Sequence, residues 1–294
     1  MMKLGIYSRI LKNKEQLDFF NRFLALLAER GIETIISEEL FNHLLEDHGI
    51  SPELPVFAKN DLKEGALDFL ISIGGDGTML DTLTLVRDSG IPVLGVNTGR
   101  FGFLASSQMD DIESNIIELE NRSYSIDHRV VLQLEGDAGV FDEFPFALND
   151  FVLHKKDSAS MITVHTYLNG VFLNSYWADG LIISSPTGSS GYSLSCGGPL
   201  LFPGSSSFVI TPIAPHNLNV RPAVVSDSNI ISFEFEGRMS SVLASLDSRS
   251  TSLLKGTELA IRKADFTFKM VRLSGENYMD TIRKKLMWGK DNRN

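Results

Sequence analysis

Residues 69–73 (FLISI) and 91–96 (IPVLGV) constrain the fold most. Each is a short apolar run without polar alternation, so each needs cover on both faces, as parallel strands flanked by helices have. The pattern around them alternates. Residues 3–7 read as a strand. Residues 15–30 read as a helix with Leu17, Phe20, Leu24 and Leu27 on one face and Gly31 at its stop. Residues 34–37 read as a strand, 40–45 as a weak helix, and 78–88 and 110–121 as helices. The expectation for residues 1–123 is an α/β domain: an open, mostly parallel sheet with a crevice at its strand ends.

The character changes near Tyr124. Residues 130–134, 146–153, 161–168, 181–184, 208–211, 230–235 and 258–263 read as strands, with Gly, Pro, Asn, Asp and Ser between them. Residues 124–270 are therefore expected to form a β-rich domain of packed sheets. Residues 271–294 hold a helix-like stretch, 278–288, read as returning to the first domain.

The chain has 294 residues, 43% of them hydrophobic, enough for two cores. Its formal net charge of -10 argues against nucleic acid as a partner, because phosphate backbones call for a basic surface. A single cysteine, Cys196, forbids a disulfide framework within one chain and fits a reducing compartment. No signal peptide and no membrane-spanning run is read, so the expected location is cytoplasmic, without a membrane partner.

Residues 71–80, ISIGGDGTML, pass from strand through glycines into a helix start. Glycines let a ligand approach the main chain, and the first amides of a helix favour anions. The loop is thus a phosphate cradle in type, though neither a Walker A loop nor a GxGxxG fingerprint. Asp76 is the anomaly, a negative charge beside a site for anions. It fits three roles: holding a magnesium ion that bridges phosphates, taking a proton from an attacking hydroxyl, or capping a helix that begins at Thr78.

A second stretch, residues 179–199, reads DGLIISSPTGSSGYSLSCGGP. The hydroxyls of Thr187, Ser189, Ser190 and Ser193 suit phosphate or ribose oxygens, and Tyr192 offers an aromatic face for a base. Residues 181–183 and 194–196 read as buried flanks. Asn149 beside Asp150 pairs a donor with an acceptor, as two ribose hydroxyls require; such a pair also makes turns. Cys196 reads as a small apolar filler, and the histidines show no metal-site spacing. His216 reads as a loop residue or a phosphate contact. Arg221 and Arg249 are candidate phosphate forks. Lys155 and Lys156 read as a solvated turn.

Taken in order, GGDGT (74–78), NTGRFGFL (97–104), Asn149-Asp150, DGLIISSPTGSSGYSLSCGGP (179–199) and PHNLNVRP (215–222) resemble the NAD kinase family. GGDGT alone is shared with lipid kinases of the diacylglycerol and sphingosine type. Those enzymes carry an Asn-Glu pair directly after it, where this chain has Met79-Leu80-Asp81. A non-catalytic dinucleotide sensor is the other rival. The resemblance implies ATP as phosphoryl donor, NAD as acceptor substrate, Mg2+ or another divalent cation, and a homodimer or homotetramer. It implies Asp76 as general base, with Gly77 at the phosphates and Asn97 and Phe101 in the cofactor-binding NTGRFGFL segment. It implies Asn149 and Asp150 at the ribose and adenine, and Asp179 near the nicotinamide end. Thr187, Ser190, Gly191, Tyr192 and Ser195 would enclose adenine and ribose. Trp177 would stack on the ligand or pack on the sheet, and Arg249 departs from the family where many bacterial members carry Gln, which bears on phosphate contact and donor choice.

Overall fold

The structure, a computed structural model, describes residues 1–99, 102–136, 141, 143–156, 160–217, 219–238, 240–275 and 277–288. The chain divides into two compact units. One comprises Met1–His128 with Phe268–Asn294; the other is Arg129–Thr267.

The first unit carries β1 (Lys3–Tyr7), α1 (Lys14–Glu29), β2 (Glu33–Ser37), α2 (Glu38–His48), β3 (Val56–Phe57), β4 (Phe69–Gly74), α3 (Asp76–Val86), β5 (Val93–Asn97), β6 (Ser107–Gln108) and α4 (Ile112–Glu120). Its strands pair in parallel in the order β3-β2-β1-β4-β5, with β6 also on β5. The order reverses between β1 and β4, and open α/β sheets bind ligands beyond the strand ends at such a point. The loop after β4 is the glycine loop. The apolar runs behave as expected: every residue from Phe69 to Ile73 is buried. Phe19, Phe20, Phe23 and Leu27 of α1 pack with Ile71, Ile73, Leu94 and Val96 in one core.

The second unit follows in β7 (Tyr124–Gly136), which leaves the first unit, then β8 (Phe146–Ala147), β9 (Asp150–His154), β10 (Ile162–Leu168), β11 (Val171–Ala178) and β12 (Gly180–Ser184). After them come α5 (Tyr192–Ser195), β13 (Ser207–Ile213), β14 (Ala223–Ser226), β15 (Ile231–Glu236), β16 (Ser241–Leu246), β17 (Arg249–Leu254) and β18 (Leu259–Leu273). One antiparallel sheet runs β14-β13-β12-β9-β16-β17. The other joins β11, β10, β15 and the first part of β18. Phe151, Leu153, Leu181 and Ile183 from the one sheet share a core with Ile162, Val164, Phe233 and Ile261 from the other, the packed sheets that the sequence implied. The far end of β18 re-enters the first unit, where Met270 pairs with Val93 of β5 in parallel. The helix α6 (Tyr278–Leu286) belongs to that first unit.

Three expectations change. The strand read over 146–153 is interrupted at Leu148 and Asn149, which belong to neither β8 nor β9. Six strands went unread: β3, β6, β11, β14, β16 and β17. The hairpin into β11 had a legible turn, Asn169-Gly170, with positive φ at both residues and Leu168 paired to Val171. Finally, residues 194–196 are not a buried flank: Leu194 and Cys196 are half-buried and Ser195 is exposed.

Candidate active site

In the first unit the site is built around Asp76. Helix α3 begins at Asp76 itself rather than at Thr78, and its cap position, Gly75, has no side chain to offer. The Asp76 carboxylate does not cap the helix. It accepts main-chain N–H bonds from three consecutive residues of a loop 27 to 29 positions away: Phe103 to Oδ2 at 2.8 Å, Leu104 to Oδ1 at 2.9 Å and Ala105 to Oδ1 at 3.2 Å. Charge-assisted bonds of this kind are about twice as strong as neutral ones. An ionised carboxylate has about four lone-pair sites, so one remains, on Oδ2.

The surroundings enforce this arrangement. A Cβ on Gly102 would sit 1.9 Å from Asp76 Oδ1, and one on Gly95 would sit 2.9 Å from Ala105 Cα, so both glycines admit the loop. Asn97 is 2% exposed. Its Oδ1 accepts from Gly99 N at 2.7 Å and its Nδ2 donates to the Ala105 carbonyl at 3.4 Å. Asn97 therefore braces the same loop from within. The Nζ of Lys285 on α6 lies 6.0 Å from the centre of the Phe103 ring. By contrast, Cβ atoms built on Gly75 and Gly77 meet nothing within 4 Å, so the start of α3 is open for a ligand. Phe101 lies outside the described residues.

In the second unit the Asn149-Asp150 pair is held in the same manner by a residue that sequence reasoning missed. The Asp247 carboxylate accepts from Leu148 N at 2.8 Å, Asn149 N at 2.8 Å and Asp150 N at 3.2 Å. Ser185, also missed, secures the opposite edge. Its Oγ donates to the Leu148 carbonyl at 2.5 Å, and its amide donates to the Asn149 carbonyl at 2.9 Å. With its main chain saturated, Asn149 keeps a buried side-chain Oδ1 with no hydrogen-bond partner among the described residues. Buried polar atoms are nearly always partnered, so this one marks a place for a ligand donor.

Asp150 and Asp247 differ in how they are stabilised. Burial pushes the Asp150 carboxyl up to about 7, helped by the negative charge of Asp247. Burial also raises Asp247, to about 6, against the pull of the three amides and of Arg249. A folded state with raised carboxyl pKa values holds more protons than the unfolded chain between about pH 4 and pH 7, so stability falls as pH rises through that window. Asp150→Asn is therefore expected to unfold at higher urea than the parent at pH 8, with the gap closing below pH 4. Parallel urea curves at the two pH values check it, and an equal gap at both would refute it.

The other expected residues divide. Burial, then the charges of Cys196, Asp150 and Asp179, raises the Tyr192 phenol, which puts Asp150, Asp179 and the exposed Tyr192 in one electrostatic neighbourhood. Asp179 pairs with Lys155 at 2.6 Å, so Lys155 is not simply a solvated turn. The Thr187 hydroxyl accepts from the buried Arg129 at 3.3 Å, and Ser190 Oγ donates back to the Thr187 carbonyl at 3.2 Å. A Cβ on Gly191 would lie 3.9 Å from Asn149 Nδ2, which sets that glycine beside the pair. Ser195 is exposed on α5. Trp177 is half-exposed, its ring 5.2 Å from that of His216. Burial raises the Cys196 thiol, consistent with a filler packed beside Val152, Ile182 and Ile213. Arg249 is engaged by main-chain carbonyls. Its guanidinium donates to the carbonyls of Phe144 and Phe146 and lies over the rings of Phe141 and Phe144, so its fork faces main chain where phosphate contact was expected.

Among the described residues, no three His, Cys, Asp or Glu side chains gather as a metal cage. Among the described residues, no helix is long and apolar enough to cross a membrane.

The chain matches known families and structures. Residues 9–124 match the ATP-NAD kinase N-terminal domain family, and residues 148–273 match the ATP-NAD kinase C-terminal domain family. The chain is 45% identical to the NAD kinase of Cytophaga hutchinsonii over 293 residues, covering all of both chains. It is 40% identical to that of Bacteroides fragilis strain ATCC 25285, covering 99% of this chain and 100% of the relative. The fold is shared with yeast NADH kinase complexed with NADH, at TM-score 0.82 and 22% identity, covering 99% of this chain and 89% of the other. It is also shared with an NAD kinase from Archaeoglobus fulgidus in complex with ATP, at TM-score 0.72 and 23% identity, covering 97% and 99%.

Proposed function

This chain belongs to the NAD kinase family, and from that premise we propose how its own residues carry the reaction. The reaction moves the terminal phosphoryl of ATP to the 2′-hydroxyl of the adenosine ribose of NAD, giving NADP and ADP. The observation that carries the proposal is the Asp76 carboxylate, held by three amides with one acceptor site left on Oδ2. A carboxylate so fixed pays little reorganisation when it takes a proton. The ribose 2′-hydroxyl donates to Oδ2. As its O–H bond breaks, its oxygen bonds to the terminal phosphorus, the bond to the bridging oxygen breaks, and ADP leaves. Positioning and charge neutralisation do most of the work in such transfers. The open start of α3, at Gly75 and Gly77, receives phosphate on main-chain amides.

The second unit supplies recognition. Asn149 Oδ1 accepts from the dinucleotide, and Asp150 takes a ribose hydroxyl. Tyr192 gives a base its aromatic face, and Thr187, Ser190, Gly191 and Ser195 line that part of the site. Asp179 serves the nicotinamide end, with Trp177 stacking beside it. When bound, Mg2+ or another divalent cation would neutralise charge on the donor phosphates. The enzyme works in the cytoplasm as a homodimer or homotetramer, which light scattering would establish.

Matches to both family domains favour the NAD acceptor over a lipid and over a purely binding role. The test is NADP formation from NAD, ATP and magnesium, read with an NADP-specific dehydrogenase. Product is expected, and chelation of magnesium should abolish it. No product with NAD still bound in calorimetry would turn the reading to a sensor. No product and no NAD binding would remove NAD as the acceptor.

A further inference from the structure

The turn from β16 to β17 is two residues long, Asp247 and Ser248, because Leu246 pairs with Arg249. Two-residue hairpin turns require positive φ at the first position, where glycine or asparagine costs least. Asp247 sits there with φ 51. A backbone held in a sparsely populated region points to a demand elsewhere.

Its contacts show the demand. The carboxylate spans the amides of Leu148, Asn149 and Asp150, while the Asp247 amide donates to the Asp150 carbonyl at 3.0 Å. The clasp crosses 97 to 99 residues of sequence and closes on the gap between β8 and β9. On the far side stand Ser185 and Gly188; a Cβ on Gly188 would come within 2.2 Å of the Asn149 carbonyl oxygen. The main chain at Asn149 is therefore fixed on both sides, and its buried Oδ1 has no partner among the described residues. Arg249, two residues on, is turned to the carbonyls of Phe144 and Phe146 and so secures the stretch leading into the same segment.

We propose that Asp247 is a positioning residue for the acceptor substrate, fixing the main chain of residues 148–150 so that Asn149 and Asp150 meet the dinucleotide. The proposal rests on the NAD kinase reading above. Asp247 touches no substrate. It acts through the pair it holds, so it governs capture of NAD and leaves the donor untouched.

Asp247→Gly separates this role from that of a turn residue. Glycine suits the turn better than aspartate, so a turn-only role leaves the kinetics unchanged. The positioning role raises KM for NAD by about tenfold or more, since small misplacements of binding groups are costly. KM for ATP should then stay within about twofold. Asp247→Asn keeps one oxygen for the Asn149 and Asp150 amides and loses the bond to Leu148, so its KM for NAD falls between the two. An unchanged KM for NAD in the folded variants overturns the proposal, as does a parallel rise for NAD and ATP. If Asp247→Gly does not fold, Asp247→Asn decides alone: a KM for NAD equal to that of the wild type overturns the proposal. Failure of the NAD kinase reading looks different, because the wild type itself would then make no NADP.

Discussion

Asp76→Asn is expected to lower turnover by about a thousandfold while NAD and ATP still bind, since a positioned general base contributes roughly 10²–10⁴. The substitution is nearly isosteric, so the loop should survive. The amide oxygen can replace Oδ1, which serves Leu104 and Ala105. The amide nitrogen then falls where Oδ2 accepted from Phe103, and two donors face each other. Hydrogen exchange should accordingly quicken at Phe103 and stay slow at Leu104 and Ala105. Turnover within about threefold of the wild type would remove Asp76 as the base. A loss of turnover matched by equal losses in NAD and ATP binding would reduce its role to holding the loop.

Gly188→Ala should be the most damaging small change in the second unit. The new methyl would lie 2.2 Å from the Asn149 oxygen, 2.5 Å from its carbonyl carbon and 2.6 Å from its Cα. All three are main-chain atoms, and that main chain is held by Asp247 and Ser185, so no rotamer change relieves the overlap. Overpacking of this kind costs about 3 kcal/mol. For a domain of 150–250 residues, 1 kcal/mol shifts Tm by roughly 2–4 °C, so a drop on the order of 10 °C is expected. NAD binding should weaken in step, because the displaced atoms belong to the residue that offers Oδ1. Scanning calorimetry with and without NAD measures both. An unchanged Tm would mean that the 188–191 loop yields where it looks fixed.

Much of this architecture was legible because it is local. The run 69–73 could only be a strand covered on both faces, and the glycines after it mark the loop whose first helical turn is open. The Asn169-Gly170 turn announced β11 as well, although its half-exposed strand lacked the apolar run that made the others visible. The unread parts depend on partners distant in sequence. A helix cap was one of three roles open to Asp76 because caps are local; its amides lie beyond the next strand. Asp247 went unread because its three donors stand almost a hundred positions earlier. Arg249 was assigned to phosphate on its chemistry alone, and the carbonyls of Phe144 and Phe146 competed for the same fork. Residue type and spacing suggest what a side chain can do, while tertiary structure decides whom it does it with.

The re-entry of β18 has a consequence in time. The second unit is one continuous stretch, Arg129–Thr267, while the first needs Phe268–Asn294 to be complete. A ribosome delivers the chain from its amino end, and domains tend to fold as they emerge. Until Met270 arrives, β5 lacks its parallel neighbour at Val93, and an unpaired apolar strand edge invites association with other chains. The continuous second unit can thus form its core before the first unit gains the pairing of Met270 with Val93.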